Sequence, residues 1–199
     1  MNASDHTILH GAYNVSEKPQ DLGVVFQSLA EHGLSLKYAT VDGNPALSQA
    51  LQRQWPAIIL QRCVVHIQRQ GLSWCRRNPK RTDAKYLRKL FLDVTNIHSL
   101  DGREKFLQRV HVWENNYGTH IKTTPEHGYV FSDLKRARSM LLAALPNMFH
   151  YLNNPLIASS TNALEGYFSR LKQRYRQHRG LAIRNRYACF HWYLSLCSR

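Results

Sequence analysis

Hydrophobic and polar positions divide the chain into a short first part of alternating helices and strands and a longer helical part. After Ser16 and Pro19, which suit the start of a helix, apolar residues recur at helical spacing as far as Gly33, a residue type that often ends helices. Asn44 followed by Pro45 marks a second helix start. The expected strands cover 7–14, 36–41 and 57–60, and the expected helices cover 16–32 and 46–54.

From about residue 61 to residue 154 the pattern predicts helices and no further strand. Phe106, Val110 and Trp113, for example, share one apolar face at helical spacing. The expected helices of this part cover 63–76, 84–94, 103–121 and 132–152, followed by a helix that carries Glu165 and a last one over 181–197. The predicted fold class is α/β, with a few short strands first and a long all-helical insertion before the helix that carries Glu165.

Composition indicates a folded protein that binds a polyanion. The 199 residues include 43% hydrophobic and 11% aromatic residues, enough for one domain with a substantial core. The formal net charge of +14 and the pI of about 10.0 favour nucleic acid or an anionic membrane as partner. No apolar run approaches the ~20 residues of a spanning helix, and the first residues lack the pattern of a secretory signal. We therefore expect a cytoplasmic protein that binds nucleic acid and no membrane.

The four cysteines are expected to stay reduced. Cys189 and Cys197 lie about 12 Å apart on one expected helix, whereas a disulfide requires α carbons within ~7 Å. Cys63 and His66 form a Cys-x-x-His pair of metal-ligand types, but no second pair stands at the spacing typical of a zinc site. The pair either binds a metal or packs as a buried cysteine beside a histidine, and the sequence does not decide between these two interpretations.

Asp42 is the first of two acids that are candidates to hold a divalent metal ion. It follows the expected strand at 36–41, and ligand-binding groups of open α/β sheets lie beyond the carboxyl ends of strands. Asp42-Gly43 is also a common turn pair, so the same residue has an ordinary structural explanation.

Glu165 is the last acid of the chain, and the charged residues that follow it are all Lys or Arg. An alternative structural role is a capping box, in which Asn162 is the N-cap and Glu165 is the third helical residue. On a helical wheel Glu165 shares a stripe with Lys172 and Arg176, which would place metal and phosphate contacts on one face. The neighbouring apolar stripe consists of Leu164, Phe168, Leu171 and Tyr175.

Two basic stretches predict contact with a phosphate backbone. The stretch 62–89 holds nine Lys and Arg residues and one acid, Asp83, and the stretch 170–186 holds seven and no acid. A basic stretch is often only a solvated face, but an ordinary solvated surface mixes both signs of charge. We therefore expect phosphate-backbone contacts in both stretches and assign DNA-binding residues in the second. The residues assigned to DNA binding are Lys172, Arg174, Arg176 and Arg179, and the aromatic residues interleaved with this stretch are Tyr167, Phe168, Tyr175 and Tyr187.

Three segments together resemble the mutator-like DDE transposases of bacterial insertion sequences. They are 35–47 (SLKYATVDGNPAL), 55–69 (WPAIILQRCVVHIQR) and 160–180 (STNALEGYFSRLKQRYRQHRG), in the order expected of that family. The resemblance implies a ribonuclease-H-like catalytic domain in which Asp42 is the second catalytic aspartate and Glu165 is the final glutamate. It also implies that Cys63 and His66 are the Cys-x-x-His element that follows that aspartate.

The first catalytic aspartate of that family has no counterpart here. It belongs on the first strand of the fold, whereas Asp5 would precede the third strand and Asp21 lies on the first expected helix. The resemblance therefore implies a carboxyl-terminal fragment that lacks the first strands and the family's amino-terminal DNA-binding region. The implied domains are a partial ribonuclease-H-like core at 1–62, a helical insertion at 63–154 and carboxyl-terminal helices that complete the core at 155–199.

For the complete enzyme the resemblance implies DNA strand cleavage and transfer, with two Mg²⁺ or Mn²⁺ ions held partly by Asp42 and Glu165. Transposon ends and target DNA are the implied partners, and a homo-oligomer is the implied assembly. The fragment alone is expected to be inactive, because the metal site is incomplete. Alternatives are a DNA-binding remnant, a partner of an intact transposase, and a ribonuclease-H-like nuclease unrelated to transposition. The helical insertion and the Cys-x-x-His element count against the last.

Overall fold

The chain folds as a mixed α/β structure that is mostly helical, and this confirms the predicted class at that level. The computed structural model describes residues 1–12, 15–123, 129–178 and 180–196, with the backbone alone at 129–132. Two short parallel strands make up the sheet within the described residues. The chain forms two compact units, one of Met1–Leu60 with Leu156–Arg199 and one of Gln61–Pro155. The ribonuclease-H-like core and the three-part domain assignment stay predictions.

A helix–strand–helix–strand arrangement follows the amino-terminal segment. Its elements are α1 (Pro19–Glu31), β1 (Tyr38–Val41), α2 (Pro45–Gln54) and β2 (Ile59–Arg62). The strands β1 and β2 pair in parallel, which requires a crossover, and α2 supplies it. A small apolar core forms around them from Val41, Leu51, Ile58 and Leu60. This arrangement places the carboxyl end of β1, and with it Asp42, next to the start of α2.

Two expectations for this part are wrong in detail. The run 7–12 is not a strand. Local bonds occupy the backbone groups of Thr7 at its start: the Asn2 amide donates to the Thr7 carbonyl (2.8 Å) and the Thr7 amide donates to Asp5 Oδ1 (2.9 Å). Residues 13 and 14 lie outside the described residues. The first helix starts at Pro19 and not at Ser16, whose hydroxyl donates to the Asp21 carboxylate.

The unit Gln61–Pro155 is helical beyond the end of β2. Its helices are α3 (Val64–Trp74), α4 (Thr82–Asp93), α5 (Leu100–Trp113), α6 (Thr119–Thr123) and α7 (Tyr129–Ala144), with short 3-10 turns at Val94–Asn96, Leu145–Asn147 and His150–Leu152. They pack around a large apolar core that includes Leu87, Phe91 and Phe106. The expected helix over 103–121 is interrupted by a π-helical turn at Glu114–Gly118. The expected helix over 132–152 ends earlier, at Ala144, where a 3-10 turn containing Pro146 follows. The other expected helices of this block are present, with their ends shifted by a few residues.

Two further helices complete the first unit. They are α8 (Asn162–Gln177) and α9 (Ile183–Leu196), which are joined by a turn in which Gly180 has a φ of 106°. The helices pack antiparallel through two aromatic pairs. Tyr167 contacts Tyr193 with ring centroids 5.5 Å apart, and Tyr175 stacks on Phe190 at 5.2 Å. This aromatic seam fixes which side of α9 faces α8.

Candidate functional site

Asp42 lies directly after β1, at the position that the sequence predicted, and its side chain is exposed. Its Oδ1 accepts a hydrogen bond from the Asn44 amide at 2.9 Å, and Gly43 has a φ of 101°. Asn44 then caps α2 by accepting from the Ala46 amide (2.9 Å), so the predicted start of this helix is confirmed. Asp42 therefore takes part in the turn that the sequence also predicted, and the bond from the Asn44 amide orients one of its carboxylate oxygens.

Glu165 lies in the first turn of α8 and is half-buried. The predicted capping box is wrong, because Asn162 is the first helical residue and Thr161 occupies the N-cap position. The Thr161 hydroxyl donates to Glu165 Oε1 at 3.3 Å, and the Glu165 amide donates to the Thr161 carbonyl at 2.9 Å. The carboxylate is thus oriented by the residue four positions before it, near the positive end of the helix dipole.

A hydrogen bond joins the two chain segments that carry these acids. The Thr40 hydroxyl on β1 donates to the Ala158 carbonyl, in the segment leading into α8, at 2.6 Å. Thr40 precedes Asp42 by two positions, and both acids belong to the same compact unit. The strand before Asp42 is therefore tied to the segment before α8, seven positions ahead of Glu165. That the two carboxylates share a metal ion stays a prediction.

The core-facing side of α8 differs from the predicted stripe. Leu171 is buried as expected, but Tyr167 is buried at 4% exposure and Phe168 is 46% exposed. The aromatic pair with Tyr193 explains the difference, because it turns Tyr167 towards α9. The cations assigned to DNA contact at Lys172, Arg174 and Arg176 are exposed, and Arg179 lies outside the described residues.

Cys63 and His66 contact each other within the second unit. The thiol of Cys63 is fully buried at the start of α3, and its Sγ lies 3.2 Å from His66 Nδ1. Within the described parts of the chain, no group of three or more His, Cys, Asp or Glu residues is placed to hold a metal ion. The two side chains are thus in hydrogen-bond contact, and metal binding by the pair stays a prediction.

The donor chemistry of Asp42 and Glu165 fits a hard divalent cation. Carboxylate oxygens are the ligands that Mg²⁺ prefers, and Mg²⁺ is usually bound by one or two carboxylates together with water and substrate phosphate oxygens. A third protein ligand is therefore not required for the two acids to bind Mg²⁺ when DNA supplies phosphate. Both side chains also carry one hydrogen bond that orients them, from the Asn44 amide and from the Thr161 hydroxyl.

A groove between α8 and α9 is a feature that the sequence interpretation missed. It is lined by two cations, Arg170 and Arg174, and by the rings of Tyr167 and Tyr193. The interleaving of aromatic and basic residues after Glu165 was the available signal. Helix periodicity alone does not show that α9 folds back on α8 and brings Tyr193 beside the cations. The groove combines positive charge with aromatic surface, as nucleic-acid sites do.

Comparison with known proteins identifies the family. No curated protein and no solved structure matches the chain. None of the helices in the described ranges is long and apolar enough to span a membrane. The family model described as "Transposase, Mutator family" matches residues 5–182, which include Asp42, Glu165, Cys63 and His66. The chain therefore belongs to the Mutator family of transposases.

Proposed function

We propose that this chain supplies two carboxylates, Asp42 and Glu165, and a basic helix to metal-dependent DNA strand cleavage and transfer. The observation that carries the proposal is the bond from Thr40 to the Ala158 carbonyl (2.6 Å), which ties the strand before Asp42 to the segment before Glu165. A sheet carrying one acid and a helix carrying the other is the arrangement that a ribonuclease-H-like domain would use. The family match over residues 5–182 supports DNA as the substrate.

The chemistry of this site divides between the carboxylates and the cation that they would hold. When bound, Mg²⁺ or Mn²⁺ would lower the pKa of an attacking water or DNA 3′-hydroxyl and stabilise the leaving oxygen. Asp42 and Glu165 contribute hard oxygen ligands whose direction is set by the Asn44 amide and the Thr161 hydroxyl. Such preorientation matters because a misplacement of about 1 Å can cost ~100-fold in rate.

The basic residues of α8 position the DNA in this proposal. Lys172 and Arg176 lie on the same stripe as Glu165, about two and three turns further along the helix, and both are exposed. Their charges would hold phosphates that flank the one coordinated near Glu165. Arg174 faces the groove against α9, where a guanidinium can bind a phosphate in bidentate fashion. These contacts carry no base specificity.

A second candidate function is DNA binding without cleavage by this chain alone. It is favoured by the finding that the described residues bring no three His, Cys, Asp or Glu side chains together at a metal site. The two-metal reaction implied by the family would then need a further carboxylate beyond Asp42 and Glu165. In this case the basic groove and α8 would bind DNA, and association with a second transposase chain would supply catalysis.

Nicking of supercoiled plasmid DNA in the presence of Mg²⁺ separates the two candidates. The first predicts nicking by this chain, with DNA phosphate oxygens completing the metal site that lacks the family's first aspartate. This nicking should fall at least about 100-fold in Asp42→Asn and Glu165→Gln and stay unchanged in the control Asp101→Asn, an exposed acid on α5. The second predicts no nicking together with DNA binding that weakens steeply with salt. Nicking that survives Glu165→Gln would contradict the proposed role of that residue. Absence of any DNA binding would contradict both functions.

A further inference from the structure

One face of α9 presents aromatic rings to solvent. Phe190 and Tyr193 pack on α8, which leaves the opposite side of α9 without a helix against it in that pairing. Arg184, Tyr187 and His191 follow one another at helical spacing on the flank beyond Phe190, and Trp192 lies further round the helix. The same flank continues to Leu194, which lies close to Gly11 of the amino-terminal segment. The residues of this face, called the α9 aromatic face below, are Arg184, Tyr187, His191 and Trp192.

The rings of the α9 aromatic face are exposed and already in contact with one another. Tyr187 is 61% exposed and Trp192 is 62% exposed. Tyr187 and His191 are stacked, with ring centroids 6.2 Å apart and planes at 13°, and His191 meets Trp192 edge to face at 6.3 Å. Rings held in this way lose little conformational freedom when a planar group stacks on them. Contiguous exposed apolar surface of this kind often marks a binding site.

The charge around this face selects the kind of partner. Glu165 is the last acid of the chain, so both α9 and the rest of α8 carry cations alone, with Arg184 on the face itself. A second copy of the chain would bring the same cationic faces together, and each copy carries a formal net charge of +14. A polyanion is therefore the complementary partner. Among polyanions, only a nucleic acid with unpaired bases also offers flat faces for the rings.

We propose that the α9 aromatic face binds unpaired nucleotides of a DNA strand by stacking their bases on Tyr187 and Trp192. The strand's phosphates would contact Arg184, while the cations of α8 hold the adjoining duplex. This inference rests on the proposed function, because it takes DNA as the substrate. It also goes beyond the family match, which ends at residue 182, one residue before α9 begins at Ile183.

The test compares two single-stranded oligonucleotides of equal length, one with thymine bases and one made of abasic sites, which carry the same phosphate charge. Fluorescence anisotropy of each oligonucleotide with the whole chain gives the two affinities. We expect the base-bearing strand to bind at least about fivefold more tightly. Trp192→Leu keeps apolar bulk but removes stacking, so it should remove most of this preference, whereas Trp192→Phe should retain it. Val112→Ala is the control for loss of exposed apolar surface elsewhere, since Val112 is 57% exposed on α5, outside both basic stretches.

The outcomes distinguish the inference from the proposed function. Equal affinity for base-bearing and abasic strands would overturn the inference, and intact salt-dependent duplex binding would then leave the proposed function standing. Loss of all DNA binding by the wild-type chain would overturn both. Binding to anionic phospholipid vesicles that exceeds binding to the thymine strand would assign the face to a membrane surface instead. A dimer that Trp192→Leu dissociates, with unchanged oligonucleotide affinity, would assign it to a second copy.

Discussion

At the scale of single residues, both candidate metal ligands also support local structure. Asp42 accepts the hydrogen bond that closes the turn before α2, and Glu165 accepts one from Thr161 at the start of α8. A substitution at either position can therefore change folding as well as chemistry. Variants that keep the acceptor and remove the charge separate the two effects, and Asn and Gln are the suitable replacements.

Asp42→Asn should leave stability nearly unchanged, because the amide oxygen of Asn can accept the Asn44 N–H bond in the same turn. We expect a change in the free energy of unfolding below about 0.5 kcal/mol. Asp42→Ala removes the acceptor and should cost about 0.5–1.5 kcal/mol. Urea denaturation measures both variants. An equal loss in Asp42→Asn and Asp42→Ala would show that the carboxylate charge, and not the turn bond, supports the fold.

Asp83 makes stability depend on acid pH. Burial raises the pKa of this carboxyl, but hydrogen bonds from the Arg81 guanidinium and the Ala84 amide outweigh burial and hold the pKa below its usual value. The folded state therefore binds its proton less readily than the unfolded state, whose pKa is about 3.9. The stabilisation is present at neutral pH and is lost as the pH falls below about 4 and through the lowered pKa.

Asp83→Asn should consequently lower the free energy of unfolding by about 1–3 kcal/mol at pH 7, since one partner of a charged pair is removed. The difference in the free energy of unfolding between wild type and variant should become smaller as the pH falls below about 4. Thermal unfolding at several pH values, followed by circular dichroism, provides the check. A gap that widens on acidification would mean that the pKa of Asp83 is raised and not lowered.

At the scale of elements, the sequence predicted the features that depend on neighbouring residues and missed those that depend on distant contacts. The start of α2 was predictable because Asn44 and Pro45 act within one turn. The expected strand at 7–14 was wrong in its described part because a strand needs a partner, which propensity does not supply. The π-helical turn at Glu114–Gly118 was equally hidden, since Glu114 pairs with Arg138, far away in sequence, and its carboxylate occupies the space beside Gly118.

Close packing at Gly71 provides a test of the helical unit. A Cβ added to Gly71 on α3 would lie 2.2 Å from the Phe91 ring, and Phe91 is fully buried. Gly71→Ala should therefore destabilise the protein by about 1–3 kcal/mol despite the better helix propensity of Ala. Gly23 on α1 has open space around its added Cβ, so Gly23→Ala should stabilise by up to about 1 kcal/mol.

Chemical denaturation of the two glycine variants gives the comparison directly. We expect Gly71→Ala to lower stability and Gly23→Ala to raise it. Both substitutions gain the higher helix propensity of Ala, but only the one on α3 brings a Cβ against a neighbouring ring. A stability loss at Gly23 equal to that at Gly71 would show that backbone conformation, and not contact with Phe91, decides the effect.

At the scale of the whole molecule, the sequence predicted the family but not the contact between the two segments that carry the candidate acids. Asp42 and Glu165 were recognised from the motifs around them. The bond from Thr40 to Ala158 that ties their segments together spans 118 positions and has no local signature. The α9 aromatic face was hidden for the same reason, because only the pairing of Tyr167 with Tyr193 shows which side of α9 is exposed.

The positive charge of the whole chain makes DNA affinity dependent on salt. Replacing Lys172, Arg174 and Arg176 together by Ala should weaken duplex binding and reduce the slope of log affinity against log salt by about one for each phosphate that the variant no longer binds. Lys105→Ala is the control, since Lys105 is exposed but paired with Asp101. Anisotropy titrations with duplex DNA at salt concentrations between about 50 and 200 mM provide the slopes. A slope that the triple variant leaves unchanged would place the DNA elsewhere on the molecule.

The central claim is that Asp42 and Glu165 bind one divalent cation together, and Mn²⁺ binding tests it most directly. Electron paramagnetic resonance counts free Mn²⁺ in the presence of the chain and a short duplex DNA. The account predicts that Asp42→Asn and Glu165→Gln each weaken Mn²⁺ binding. The double variant should bind Mn²⁺ about as weakly as the more affected single variant, because both substitutions remove the same shared site. Wild-type affinity in either single variant, or fully additive losses in the double variant, would contradict it.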